Sequence, residues 1–177
     1  MERRQESLAS RLKAGDRMAA VELVDIYYER IYLFLRRLGH SRQVSEDLTQ
    51  ESFLQAWRHI GQLRDGAALN SWFYRIAANA SKHYWRSRKG KEKTGIEGFE
   101  GTDGSDGGDD KAARLEEIDR LEEAVARLPI KLRQVVVLHY LEQLTIAEAA
   151  ESAGVKEGTF KSRLNRALKA LRTEMGS

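Results

Sequence analysis

Apolar positions along this chain recur every three or four residues almost throughout, the period of helices that bury one face. Between Arg17 and Leu38 the stripe is Ala20, Leu23, Val24, Tyr27, Ile31, Phe34, Leu35 and Leu38, with Asp16 placed to cap its start and Gly39 to stop it. A shorter amphipathic segment, roughly Gln5 to Ala14, comes before it. Ser41 can cap a third helix running to about Ile60, its inward side supplied by Val44, Leu48, Phe53, Trp57 and Ile60. A loop from Gln62 to Leu69 leads into a fourth helix, Ser71 to about Arg88, with Trp72, Phe73, Ile76, Ala77, Ala80 and Tyr84 facing a core.

The pattern breaks at Thr94. From there to Asp110 the chain carries Gly95, Gly98, Gly101, Gly104, Gly107 and Gly108 among acidic residues, with no Lys or Arg. Such a stretch buries too little apolar area to offset its chain entropy and is expected to be a flexible linker. Helical periodicity resumes near Lys111 with Leu115, Ile118, Leu121, Val125 and Leu128. Pro129 interrupts it, and a further helix from about Lys131 to Leu141 carries Leu132, Val135, Val136, Leu138 and His139. Thr145-Ile146-Ala147-Glu148 is a capping box, so another helix starts there. The small residues Ala147, Ala149, Ala150 and Ala153 allow a neighbouring helix to approach it closely, and Gly154 supplies a turn. The last helix runs from about Glu157 to Glu174, with Phe160, Leu164, Ala167, Leu168 and Leu171 on one stripe. The expected fold is all-α: two small helical domains, 1–93 and 113–177, joined by a flexible acidic linker at 94–112.

Composition narrows the function. A single proline and 41% hydrophobic residues suit long helices, and the absence of cysteine removes disulfides and thiolate chemistry. Met1 to Gly15 has no apolar core of signal-peptide length. No run of eighteen apolar residues occurs, so membrane insertion is not expected and the protein reads as soluble and intracellular. His40, His59, His83 and His139 are scattered without ligand spacing, and no phosphate loop or nucleophile motif occurs. No metal, cofactor or catalytic group is assigned.

The net charge of +3 is small, but its sign is segregated. A short capped helix, a glycine turn and a basic helix carrying Lys161, Ser162, Asn165, Arg166, Lys169 and Arg172 read as a helix-turn-helix whose second helix enters a major groove. Arg75, Asn79, Lys82 and Arg86 recur at steps of four, three and four, a cationic stripe beside aromatic residues that suits a nucleic-acid strand. Asp47, Gln50 and Glu51 share one helical turn, and the sequence leaves two readings open. They complement the helix dipole, or they form a docking face for a basic partner.

Certain of these segments together resemble the extracytoplasmic-function (ECF) sigma factors of bacterial RNA polymerase. The residues carrying the likeness are Asp47-Leu48-Thr49-Gln50-Glu51-Ser52-Phe53 with Trp57, then Ser71-Trp72-Phe73-Tyr74-Arg75-Ile76-Ala77-Ala78-Asn79. In the second half they are Leu128-Pro129, Arg133, the Thr145 helix and Gly158-Thr159-Phe160-Lys161-Ser162-Arg163-Leu164-Asn165-Arg166-Ala167. The resemblance implies a cytoplasmic, non-enzymatic transcription initiation factor, with core RNA polymerase, promoter DNA and commonly an anti-sigma factor as partners. It implies that Asp47, Gln50 and Glu51 dock on the polymerase clamp. Arg64, Asn70, Arg75, Asn79, Lys82 and Arg86 fall to the promoter −10 element, the loop from Arg64 to Asn70 holding a flipped base. Lys156, Thr159, Lys161, Ser162, Arg163, Asn165 and Arg166 fall to the −35 element. Three positions depart from the usual pattern: Ala149 and Phe160 exchange large for small across one contact, and Gln143 stands where glycine is frequent at a turn. A DNA-binding regulator that never joins polymerase is the alternative; it gives no reason for the acidic cluster. An RNA-binding adaptor is disfavoured by the helix-turn-helix, since A-form major grooves do not admit a helix.

Overall fold

The computed structural model describes residues 2–89 and 120–176, and every regular element among them is helical. The expected linker, together with Lys91, Lys93, Leu115 and Ile118, lies outside the described residues. In the first half, α1 (Glu2–Lys13) leads through Gly15 into α2 (Arg17–Arg37), α3 (Arg42–His59) and α4 (Leu69–Lys89). In the second half, α5 (described over 120–127) precedes α6 (Ile130–Val136), which continues as a wider π-type turn, Val137–Leu141. The pair α7 (Ile146–Ala153) and α8 (Glu157–Met175) completes the chain.

The signals that start and stop these helices act as the residue types require. Asp16 accepts from the Met18 amide at 2.9 Å and from Arg11 Nε at 2.9 Å, which holds its carboxyl below the ordinary carboxylate range. Ser41 accepts from the Val44 amide. Thr145 and Glu148 close a reciprocal capping box, and Gly154 takes the left-handed conformation at the end of α7. Gln143 also has a positive φ, of 54°, which explains why glycine is the less costly residue at that turn.

The core of the first half is aromatic. Tyr27 meets Phe73 edge-on at 5.2 Å, Phe53 meets Phe73 at 4.8 Å, and Phe34 meets Tyr74 at 5.3 Å. On helix α3 Leu48 is buried and Val44, Phe53 and Ile60 pack on the core as expected, but Trp57 is 44% exposed and small polar residues share the inward side. Ser45, Thr49 and Ser52 are buried with Leu48 and Ala56. Thr49 donates to the Ser45 carbonyl at 2.6 Å and Ser52 to the Leu48 carbonyl at 2.7 Å. Bonding back to their own helix neutralises the hydroxyls, so α3 seats closely against α2 and α4 without orphaned polar atoms. Val24 and Leu121, also expected inside, are each 41% exposed, on sides of their helices that no other element covers among the described residues.

The two halves pack directly on each other, chiefly through α4 and α7. Ser152 Oγ donates to the Ser71 carbonyl at 3.0 Å and Ser71 Oγ to Glu151 at 3.3 Å. Glu142, buried, accepts from the Tyr74 hydroxyl and from Arg37 Nη1 at 3.0 Å. Burial and the Glu142 carboxylate push the Tyr74 hydroxyl far above its ordinary range. Arg133 reaches from α6 to the Leu38 carbonyl at 3.0 Å and to the Ala126 and Leu128 carbonyls. A β-carbon at Gly39, whose φ is +96°, would collide with that guanidinium.

His40 orients α4. Its ring stacks on Trp85 at 5.0 Å, meets Tyr84 edge-on at 5.1 Å, and its Nε2 lies 2.7 Å from Ser81 Oγ. Burial, with Arg133 as a nearby positive charge, lowers its pKa from 6.5 to about 4. The unfolded chain therefore binds a proton that the folded chain excludes, and stability falls as pH drops from about 6.5 toward about 4. The full effect of a shift this size is on the order of 3 kcal/mol. Urea unfolding midpoints at pH 7.5 and 5.0 should show this loss, and His40→Asn should flatten it. An unchanged pH slope in that variant would rule out His40 as its source.

Candidate promoter and polymerase interfaces

Three surfaces assemble from the residues singled out by sequence. On α3, Asp47, Gln50 and Glu51 are exposed, with no side-chain partner among the described residues. Helical spacing puts Leu54, 56% exposed, on the same face as Asp47 and Glu51. That face joins acidic groups to a large uncovered apolar side chain, with Trp57 at its edge. Asp47 and Glu51 lie beyond the first turn of α3, where the helix dipole no longer acts appreciably.

The second surface runs along α4. Arg75, Asn79, Lys82 and Arg86 are all exposed on one side of the helix. The opposite side is locked by Phe73 and Ala77 in the core, and a flank by the His40 cluster, so α4 cannot rotate to hide its cations. Ahead of it, two short 3-10 turns, Ile60–Gln62 and Gly66–Ala68, bracket exposed Arg64. Asp65 caps the second by accepting from the Ala67 amide at 3.0 Å. Asn70 is half-buried, and its Oδ1 has no hydrogen-bond partner among the described residues. The loop leans on α1, for a β-carbon at Gly66 would stand 2.8 Å from Glu6 Cα.

The third surface is α8. Phe160, Leu164, Ala167 and Leu171 are buried against α6 and α7. Thr159, Lys161, Ser162, Asn165 and Arg166 project outward from the N-terminal half, with Lys156 exposed just before it and Arg163 half-buried. Lys161 sits 3.6 Å from Glu157, an exposed pair one helical turn apart that contributes little to stability. Phe160 and Ala149 are both fully buried, on the helices α8 and α7 that pack on each other.

Sequence reasoning brought these three surfaces together correctly as exposed faces but missed Tyr74 and Glu142. A signal for Glu142 existed: Val135, Leu138 and Glu142 share one helical stripe, which sets a carboxylate in line with two core residues.

Comparison with known proteins agrees with this architecture. Residues 23–91 match the family Sigma-70 region 2, and residues 118–171 match Sigma-70, region 4. The ECF RNA polymerase sigma factor SigW of Bacillus subtilis is 32% identical over 93% of this chain and 92% of its own length. The ECF RNA polymerase sigma factor SigM of Mycobacterium tuberculosis is 30% identical over 99% of this chain and 86% of its own. Among solved structures, CnrH in complex with the cytosolic domain of CnrY shares the fold, with a TM-score of 0.72 at 22% identity over 97% of both chains. The sigma factor RpoE in complex with the anti-sigma factor NepR from Bartonella quintana gives a TM-score of 0.72 at 21% identity, covering 88% of this chain and 95% of that one.

The contact of Gly66 with α1 yields a specific expectation. Gly66→Ala should push α1 away from the Arg64 loop; on the role that the sequence resemblance implies for that loop, it should weaken use of a −10 element about several-fold while leaving binding of an isolated −35 duplex unchanged. Competitive promoter assays with −10 and −35 mutant templates check this. Equal loss at both elements would mean a general folding defect.

Two sequence families in order, joined to relatives that align from end to end, place this chain among the ECF sigma factors, which bind core RNA polymerase and direct transcription initiation at promoters.

Proposed function

We propose that the three surfaces divide the work of initiation, with 1–93 serving the clamp and −10 element, 94–112 as a connector, and 113–177 serving the −35 element. The acidic and apolar face of α3 carries the proposal. Asp47, Gln50 and Glu51 stand exposed beside Leu54 beyond the reach of the helix dipole, which DNA binding alone does not account for. Exposed carboxylates around an apolar centre suit a basic helical partner such as the polymerase clamp. On α4, Arg75, Lys82 and Arg86 neutralise phosphates, while Asn79 offers hydrogen bonds to an extruded base and half-buried Asn70 stands at the head of the same helix. On α8, Lys156, Thr159, Lys161, Ser162, Arg163, Asn165 and Arg166 serve the −35 major groove. The protein acts in the cytoplasm, without enzymatic activity of its own. An anti-sigma factor that covers these faces is a natural partner, supported by the likeness to the sigma factor RpoE solved with the anti-sigma factor NepR.

Charge reversal tests the clamp role. Asp47→Lys with Glu51→Lys should weaken association with core polymerase by roughly tenfold or more while leaving the thermal melt unchanged. Undiminished pull-down of core enzyme would remove the docking role.

Reading and anchoring on α8 are also separable. An arginine bidentate to guanine contributes roughly 1–3 kcal/mol of discrimination, whereas a phosphate contact adds affinity at every sequence. Arg166→Ala should flatten preference at one or two −35 positions, and Lys169→Ala should weaken all promoters alike. Binding of a −35 mutant library at fixed salt distinguishes them. A uniform loss for Arg166→Ala would put that side chain on the backbone and shift base reading toward Ser162 and Asn165.

A further inference from the structure

We infer that α1 is a strut that sets base discrimination at the −10 element, with Ala9 and Arg11 as positioning residues that act through the Arg64 loop without touching DNA. Helix α1 lies ahead of the stretch 23–91 that matches Sigma-70 region 2. The inference rests on the assignment of the loop from Arg64 to Asn70 to the −10 element.

The loop does not place itself. Its hydrogen bonds among the described residues join positions two or three apart. The Leu63 amide donates to the Ile60 carbonyl at 3.1 Å, the Ala68 amide to the Asp65 carbonyl at 3.1 Å, and the Ala67 amide to the Asp65 carboxylate at 3.0 Å. Ser71 Oγ adds another, to the Ala68 carbonyl at 3.1 Å. Such bonds shape two turns but leave their seat on the domain undetermined. Leu63 and Leu69 bury the two ends, and between them Arg64 and Asp65 face solvent.

Helix α1 supplies the seat on one of its sides. It packs on both 3-10 turns and on α4, and Leu8, Ala9 and Leu12 are each no more than 2% exposed. At Gly66 backbone meets backbone, where an added β-carbon would stand 2.8 Å from Glu6 Cα and 3.3 Å from Ala9 Cβ. No flexible side chain lies between them, so the loop follows any shift of α1. Arg11 holds the other side. Its Nε donates to Asp16 at 2.9 Å and its Nη1 to Glu22 at 2.7 Å, tying α1 to the N-cap and the first turns of α2. At about 3.6 residues per turn, Arg11 stands about 140° around the helix from Glu6 and about 160° from Ala9. The seat and the tie are therefore on opposed sides of one helix. Both ion pairs are partly exposed, so they orient α1 more than they stabilise the fold.

Binding by the full chain assembled with core polymerase tests the strut. The probe is a single-stranded −10 oligonucleotide from a selected promoter, compared with versions changed one base at a time. The ratio of cognate to changed affinity does not depend on how much of the protein is folded. Ala9→Val thickens the seat, and Arg11→Ala, a surface change, frees the far side of α1. Each should lower that ratio about threefold or more. Affinity for a −35 duplex should stay within about twofold. Ala9→Val and Gly66→Ala disturb one contact, so together they should lower the ratio by less than the product of their separate effects. Equal weakening of every oligonucleotide, with the ratio unchanged in either Ala9→Val or Arg11→Ala, would overturn the inference. Asp65→Ala removes the loop's own cap and separates this role from the assignment beneath it. A ratio lowered by Asp65→Ala alone removes the strut but keeps the loop on the −10 element. A ratio that none of the three variants moves counts against the loop assignment itself.

Discussion

A carboxylate removed from water needs donors that replace its hydration, and the idealised cost of leaving it without them is of order 20 kcal/mol, several after relaxation. Glu142 is the point where this chain meets that demand. Its donors come from the other half of the molecule, the Tyr74 hydroxyl of α4 and the Arg37 guanidinium of α2. The end of α6 therefore has a satisfied environment only when the second domain sits on the first. The π-type turn Val137–Leu141 and the strained Gln143 that follows deliver the acid to that spot and then redirect the chain into α7. Arg133 does the reciprocal work, carrying a half-buried guanidinium to the carbonyl at the end of α2.

An interface built on such groups differs from a core. Small polar residues meet across it, Ser71 with Ser152 and Glu151, and these polar contacts fix the register. Polar interfaces of this kind define one arrangement well yet separate at modest cost, because water can re-satisfy every group once it enters.

The three exposed faces are held by quite different means. On α8 the basic face is the remainder left over once Phe160, Leu164, Ala167 and Leu171 are buried. On α4 the outward aim of Arg75, Asn79, Lys82 and Arg86 is enforced by an aromatic core on one side and the His40 cluster on another. On α3 the acidic face lies opposite a buried side that Ser45, Thr49 and Ser52 share with Leu48 and Phe53, leaving Trp57 outside. Only the last of these runs against ordinary expectation, and it is the one that leaves Leu54 and Trp57 available to a partner.

Helix positions, caps and the exposure of the basic residues on α4 and α8 follow from local rules that any one segment contains. Asp16, Ser41, the Thr145–Glu148 box and Gly154 act through neighbours within four residues, so the sequence determined them unaided. That Trp57 of α3 stays outside while serine and threonine are buried did not follow, because hydropathy ranks serine below tryptophan and takes no account of a hydroxyl bonded back to its own helix. Nor did the burial of Tyr74, Ser71 and Glu142, since each is covered by a helix from the other side of a long connection. Periodicity reports which side of a helix avoids water, not which distant element covers a second side. That choice depended on matching one buried acid to its donors, a condition that only the assembled tertiary structure could meet.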